Sequence, residues 1–157
     1  MSLLLFFEWC EKSPLAEAMR SVPWRFPLVE IFHLAGMVVL LGTVLIVDLR
    51  LLGVVLRRQP AWEVAGDLAP WGWAGLGAQL VTGPLLFLAE ATKRYQSPSF
   101  RFKMALLAVA IVFHFTIYRK ASTSRDAARG PLRGRLTACL SLALWFGVVL
   151  AGLLVAA

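Results

Sequence analysis

The sequence predicts an all-α integral membrane protein, a four-helix bundle preceded by a short N-terminal interfacial helix. Hydrophobic residues make up 59% of the 157 residues and charged residues 16%, whereas soluble domains carry about 45–50% and about 25%. The apolar residues form long blocks, and the basic residues behind the net charge of +7 lie between them, as in membrane proteins. This pattern argues against a disordered chain and a soluble enzyme, and two cysteines are too few for a disulfide scaffold.

Residues 1–22 are predicted to form an interfacial N-terminal segment. The apolar run from Leu3 to Phe7 continues to Trp9, but Glu8 interrupts it, and neither a basic stretch nor a small-residue cleavage site marks a signal peptide. Ser13-Pro14 is typical of a helix start. The segment is expected to lie on the membrane surface, and residues 23–157 then form the transmembrane bundle.

Four segments are long and apolar enough to span a bilayer, which takes about 20 residues. In the third, Arg101 and Lys103 are expected to extend to the headgroups. The predicted spans run from Pro27 to Val47, from Leu68 to Ala89, from Phe100 to Tyr118 and from Leu136 to Ala157. Small residues such as Gly72 and Gly75 in the second span and Ser141 in the fourth are expected to allow close helix packing.

The distribution of lysine and arginine predicts the orientation. Seven of them lie on one side of the predicted spans and nine on the other, and the loop Arg119–Arg135 holds six with the single acid Asp126. The positive-inside rule places this loop in the cytoplasm and both termini outside. No aromatic residues interleave with the basic ones in this loop, so we expect contact with lipid and not with nucleic acid.

The two histidines of the chain, His33 and His114, both fall in predicted spans. One histidine from each of two helices is the usual way to hold a b-type haem in a membrane bundle. Gly36, one turn from His33, could admit the macrocycle, and the haem propionates could pair with Arg25 and Arg101, as well as with Lys103. These residues are the candidate cofactor-binding set, with the two histidines as possible ligands of the haem iron.

Counting along the helices, His33 lies about 10 Å deep from the outer end and His114 about 21 Å. An offset of about 10 Å is large for two ligands of one iron. The alternative is therefore that each histidine makes a polar contact within the bundle. Glu30 shares a helix face with His33 and, with Glu90 at the same side, offers a weak site for one divalent ion. Asp48 comes within about 5 Å of His114 in depth, but an ion pair with Arg50 at the helix end is the simpler expectation.

The first span, with the sequence Phe26-Pro-Leu-Val-Glu-Ile-Phe-His-Leu-Ala-Gly36 continuing to Asp48-Leu-Arg-Leu-Leu-Gly53, resembles an uncharacterised family of small four-span bacterial membrane proteins. The pair Phe113-His114 is also similar to that family. The resemblance implies the fold and a bacterial inner membrane location. Its pattern is weakly similar to membrane b-type cytochromes and copper-resistance membrane proteins, which place histidines in such bundles.

Two functions remain as expectations. The first is an accessory or structural subunit of a larger membrane electron-transfer complex, respiratory or photosynthetic, whose partners are membrane lipid and other membrane subunits or further copies of the chain. The alternative is a b-type cytochrome with His33 and His114 as axial ligands. A transporter coupled to protons or metal ions comes third. The sequence shows no phosphate-binding loop and no nucleophile elbow, so no catalytic residue is predicted and the chain is not expected to be an enzyme.

Overall fold

The structure, a computed structural model, describes residues 3–123 and 131–156, and these fold into helices joined by short connections. The middle of the basic loop with Asp126, the first two residues and the predicted end of the last span, Ala157, lie outside the described residues. The helices are α1 (Leu3–Glu11), α2 (Pro14–Arg20), α3 (Arg25–Leu51), α4 (Ala61–Ala89), α5 (Ala91–Gln96), α6 (Pro98–Phe113), a π-helical turn (His114–Tyr118), α7 (Arg119–Thr123) and α8 (Pro131–Ala156).

Four of these helices are long and apolar enough to cross a membrane, which confirms the predicted spans. They are α3, α4, α6 with its π-helical turn, and α8, with mean hydropathy between 1.3 and 2.4. The first and second spans begin earlier than the sequence predicts, because helix α3 starts at Arg25 and α4 at Ala61. Among the described residues no strand occurs, so the chain is an all-α, multi-pass membrane protein.

Helices α3 and α4 make the most extensive contact of the bundle, and glycines bring their backbones together. A Cβ on Gly75 would lie 2.7 Å from the backbone nitrogen of Leu40 and 2.9 Å from the carbonyl oxygen of Gly36. A Cβ on Gly36 would lie 2.6 Å from Cβ of Ala78. The predicted role of Gly75 in close packing is therefore confirmed, because any side chain there would meet backbone.

The other long helices close the bundle around an apolar core. Helix α8 packs against both α6 and α3. Helix α4 meets α6 through the rings of Phe87 and Phe100, and meets the π-helical turn through those of Trp73 and Phe115. The core residues are Leu40, Val44, Val47, Val64, Phe113, Tyr118 and Trp145. We call the end that carries α1, α2 and α5 the terminal end, and the opposite end, with residues 52–60 and α7, the loop end.

The predicted interfacial segment contains two helices where the sequence predicts one. Ser13 ends the first and caps the second, its hydroxyl accepting a hydrogen bond from the backbone of Ala16 at 3.3 Å, which confirms the predicted helix start. Helix α1 packs on the terminal end of the bundle, where Phe7 contacts the rings of Phe87 and Tyr95. A polar contact adds to this, because the Glu11 carboxylate accepts a hydrogen bond from the backbone nitrogen of Thr92 at 2.9 Å.

This contact predicts that acid loosens α1. Hydrogen bonds from the side chain and the backbone of Thr92 lower the pKa of Glu11 below its ordinary value of 4.5, and the charge of Arg20 adds to the shift. Because the folded pKa is depressed, the stabilisation is complete above the ordinary pKa and is lost as the pH falls through the lowered one. We expect the fluorescence of Trp9, 70% exposed on α1, to change in that range, and Glu11→Gln to remove the transition. A transition that persists in Glu11→Gln would contradict this assignment.

Candidate functional site

The polar side chains inside the bundle form two separate clusters, one around each histidine. In the half toward the terminal end, His33 on α3 contacts α4: its Nδ1 lies 2.8 Å from the hydroxyl oxygen of Thr82. On the same helix pair, the side-chain amide of Gln79 donates to the His33 carbonyl oxygen at 2.5 Å. We call these three residues the His33 cluster.

The hydrogen bonds of the His33 cluster define the tautomer of the imidazole. The Thr82 hydroxyl donates its only proton to the carbonyl oxygen of Ala78 at 2.6 Å, so its oxygen can only accept from His33. The Nδ1 of His33 therefore carries the proton, and its Nε2 presents a lone pair. Gly83 lies beside the ring, where a Cβ would be 3.7 Å from Cε1 of His33, an ordinary van der Waals distance.

Lys103 on α6 lies close enough to His33 for its charge to act on the imidazole. Its ammonium group packs against Gly152 on α8, where a Cβ would lie 3.3 Å from Nζ. The residue predicted to extend to the headgroups is therefore partly buried between helices.

Replacement of Thr82 by valine is expected to destabilise the protein by about 1–3 kcal/mol, because it leaves the Nδ1–H of His33 without its acceptor. Thr82→Ser keeps the hydroxyl and is the matched control. Thermal unfolding of the three proteins in detergent measures the effect. Equal unfolding midpoints for Thr82→Val and Thr82→Ser would show that the hydroxyl is not the partner of His33.

The second cluster surrounds Asp48, near the end of α3 at the loop end. The Asp48 side chain is completely buried, and neither carboxylate oxygen has a hydrogen-bond partner in the described structure. The side chains of Ser141 on α8 and Tyr118 at the end of the π-helical turn interact with it, although neither hydroxyl forms a hydrogen bond of standard geometry with the carboxylate. We call Asp48, Tyr118, Ser141, His114 and Trp145 the Asp48 cluster.

The expected ion pair between Asp48 and Arg50 is wrong. The Arg50 guanidinium instead donates from Nε to the carbonyl oxygen of Gln59 at 2.5 Å. Residues two apart on a helix point to different sides, so when Asp48 faces the core, Arg50 is directed toward the loop.

The π-helical turn aligns His114 with Tyr118. Its wider winding stacks the two rings, whose centroids lie 4.8 Å apart with an interplanar angle of 23°. His114 also meets the Trp145 ring edge to face at 6.1 Å, and the Tyr118 hydroxyl reaches the carbonyl oxygen of Val44 at 3.5 Å. Nδ1 of His114 and Nε1 of Trp145 are buried without a hydrogen-bond partner in the described structure. Such turns occur frequently at functional sites.

The structure does not bring the two histidines together. His33 and Val44 are eleven residues apart on α3, about 16 Å along its axis, and Val44 lies at the depth where the Tyr118 hydroxyl reaches α3. Because His114 stacks on Tyr118, the two imidazoles lie at different depths and have different neighbours. As they stand, they do not reach one iron position.

The other predicted haem contacts serve other partners. Gly36 is covered by α4, as described above. Arg25 donates to the carbonyl oxygen of Ala18 at 2.6 Å. Arg101 lies over the ring of Tyr95, 5.4 Å from its centroid, and donates to the carbonyl oxygen of the same residue at 3.4 Å.

The carboxylates of the predicted divalent site also lie apart. Glu30 is exposed on α3, whereas Glu90 pairs with Arg94 at 2.8 Å and with Lys93 at 3.7 Å. Within residues 3–123 and 131–156, no three His, Cys, Asp or Glu side chains are placed to hold a metal ion. Glu30 therefore has a surface position, and His33 has Thr82 as its partner.

Sequence reasoning missed the hydroxyl partners of both polar clusters. Thr82, Tyr118 and Ser141 carry no charge and sit in apolar stretches, so they appear as ordinary span residues. Only the agreement in depth between Asp48 and His114 indicated the second cluster. Its remaining members depend on the rotation of α8 and on the π-helical turn, which no sequence period reveals.

Comparison with known proteins identifies a family. A family of unknown function, DUF6644, matches residues 6–156. No curated protein and no solved structure matches the chain. Since the match covers nearly the whole chain and includes all four spans and both polar clusters, the protein belongs to the DUF6644 family.

Proposed function

We propose that the protein is an accessory subunit of a larger bacterial membrane complex of the electron-transfer class, respiratory or photosynthetic. The observation that carries this proposal is the side of α4 that points away from α3. That side carries glycine and proline residues, which do not stabilise a helix that faces only lipid. We call it the α4 outer face; it comprises Gly66, Pro70, Trp73, Gly77, Leu80, Val81 and Pro84, all of them exposed.

The α4 outer face is shaped to receive another helix. A Cβ on Gly66 or Gly77 would meet nothing within 4 Å, so neither glycine is required by the packing within this chain. Gly77 makes a notch between the exposed side chains of Trp73 and Val81, one turn away on either side. Small residues of this kind let membrane helices approach closely. The occupant is therefore a transmembrane helix, from another subunit or from a second copy.

The electron-transfer class is supported by aromatic contacts that lead inward from this face. Trp73, 54% exposed, contacts Phe115 with ring centroids 6.0 Å apart. Phe115 contacts His114 at 5.5 Å, and His114 contacts the rings of Tyr118 and Trp145. Tryptophan and tyrosine are the aromatic side chains that lose one electron most readily. Trp73 near the surface and Tyr118 and Trp145 in the interior would connect a docked redox partner with the bundle. Phe115 and His114 are packed between them.

Site-directed photo-cross-linking in native membranes tests the docking. A photoreactive residue replaces Leu80 on the α4 outer face or, as a matched control, Leu150 on α8, two leucines with similar exposure of 65% and 60%. We expect a protein adduct from position 80 and only lipid adducts from position 150. Lipid adducts alone at both positions would contradict a partner on α4.

We also propose that the protein lies in the bacterial inner membrane with both termini outside. The basic residues concentrated at the loop end support this orientation. Single cysteines introduced at Gln59 and Gln96, which are exposed in the connections at opposite ends of the bundle, report the orientation. In cells whose natural cysteines, Cys10 and Cys139, are replaced, an impermeant thiol reagent is expected to label position 96 and not position 59. The reverse pattern would place the termini inside.

The second candidate is a b-type cytochrome with His33 and His114 as axial ligands. The tautomer of His33 favours it, because iron-binding histidines donate one ring nitrogen to a partner and present the other. The separation of the two rings requires either a haem held by one histidine or a rearrangement of α3 and α6. A reduced-minus-oxidised absorption spectrum of the protein purified alone decides: α and Soret bands support the cytochrome, and their absence removes it.

A further inference from the structure

The Asp48 carboxyl group is buried, and among the described residues it forms no ion pair. Its exposure is 0%, and both oxygens lack a hydrogen-bond partner among the described residues. The basic residue nearest in sequence, Arg50, is engaged with Gln59. Burial of an unpaired carboxylate costs several kcal/mol, so a partner from outside the described residues would offset that cost.

We propose that the Asp48 cluster binds a small monovalent cation of the sodium class. The candidate ligands are oxygens from three transmembrane elements: the Asp48 carboxylate on α3, the Ser141 hydroxyl on α8 and the Tyr118 hydroxyl on the π-helical turn. Ser141 is also completely buried, and its hydroxyl oxygen has no hydrogen-bond partner among the described residues. Oxygen atoms of carboxylates and hydroxyls suit hard cations, whereas copper and iron favour imidazole and thiolate ligands.

The charge of the cluster selects a monovalent ion. One carboxylate and two neutral hydroxyls bring a monovalent cation to net zero, the state that costs least in a low-dielectric interior. A divalent ion would leave a net positive charge, because Asp48 is the single acid among the five residues of the Asp48 cluster. Dedicated calcium sites use several carboxylates for this reason.

The cluster lies near the loop end of the bundle. Asp48 is three residues before the end of α3, about 4.5 Å along the helix. Tyr118 is the last residue of the π-helical turn, so the side of the cluster formed by Tyr118 lies next to α7 and not in the middle of the span. The site is thus buried in the bundle but close to one membrane surface.

Sodium binding is measured on the full chain purified in detergent, first by thermal unfolding in sodium chloride or choline chloride at equal ionic strength. We expect the unfolding midpoint to rise with sodium concentration and then to saturate, because the ion binds only the folded state. Radioactive sodium should bind at about one ion per chain, a stoichiometry that follows from the single carboxylate. Ser141→Ala is expected to weaken this binding at least tenfold, and Asp48→Asn to abolish it.

Asp67→Asn is the matched control, since Asp67 is an exposed acid in the part of α4 nearest the loop end. This variant should bind sodium as the wild type does. The proposal is overturned if choline stabilises the wild type as well as sodium does, or if Asp48→Asn retains the bound ion. It is also overturned if lowering the pH without sodium raises the unfolding midpoint of the wild type as much as sodium does. Should Asp48→Asn not fold, the sodium dependence of Ser141→Ala decides alone. The proposal does not depend on the docking of α4, because the isolated chain is measured.

Discussion

Replacement of Gly75 by leucine is expected to separate α3 from α4 and to lower the free energy of unfolding by about 3 kcal/mol or more. Even a Cβ at this position would lie 2.7 Å from the backbone nitrogen of Leu40, and backbone cannot rotate away as a flexible side chain can. Overpacking of a tight core typically costs about 1–3 kcal/mol, and more where the neighbours are rigid. Thermal unfolding in detergent measures the loss.

Gly77 supplies the matched control two residues along the same helix. Leucine at Gly77 projects from the α4 outer face, where a Cβ meets nothing within 4 Å, and should leave the unfolding midpoint of the isolated chain close to that of the wild type. Equal losses for the two variants would mean that the cost arises from removing a glycine, and not from the contact between α3 and α4.

Replacement of Asp48 by leucine is expected to stabilise the protein in sodium-free buffer by about 1–4 kcal/mol. A buried charge without a counter-charge is a cost, and leucine, which is branched at Cγ as aspartate is, removes the charge. The same substitution should abolish any stabilisation by sodium. Asp48 is thus expected to lower the stability of the protein, as residues of functional sites commonly do.

Unfolding midpoints in sodium-free buffer for the wild type, Asp48→Leu and Asp48→Asn test this expectation. Asparagine keeps the shape of the side chain and removes only the ionisable group, so it controls for packing. A large destabilisation of both variants would show instead that the carboxyl group holds α3, α8 and the π-helical turn together through its interactions with Ser141 and Tyr118.

The fold could be predicted because hydropathy alone locates spans of this length. Helix α5 could not, since its six residues include Thr92, Lys93, Arg94 and Gln96 and have no apolar period; its position depends on the packing of Phe7 and Glu11 against it. The π-helical turn is likewise invisible in the sequence, because His114–Tyr118 has the composition of an ordinary helix.

The polar clusters could be predicted only in part. His33, Asp48 and His114 stand out because ionisable residues are rare in spans. Their partners do not, and the sequence therefore joined Asp48 to its neighbour Arg50 and His33 to His114. The first pairing rests on nearness in sequence and the second on a shared residue type. In the structure the contacts run between helices, from His33 to Thr82 and from Asp48 to Ser141 and Tyr118.

Native mass spectrometry of the protein released from its own membranes in mild detergent shows whether the chain acts as a docked subunit. We predict a mass well above the 17.3 kDa of one chain, which falls to that of one chain in Gly77→Leu and stays high in Ala143→Leu, a control exposed on α8. A wild-type mass of one chain with only lipid bound would contradict the proposal that the chain is a docked subunit.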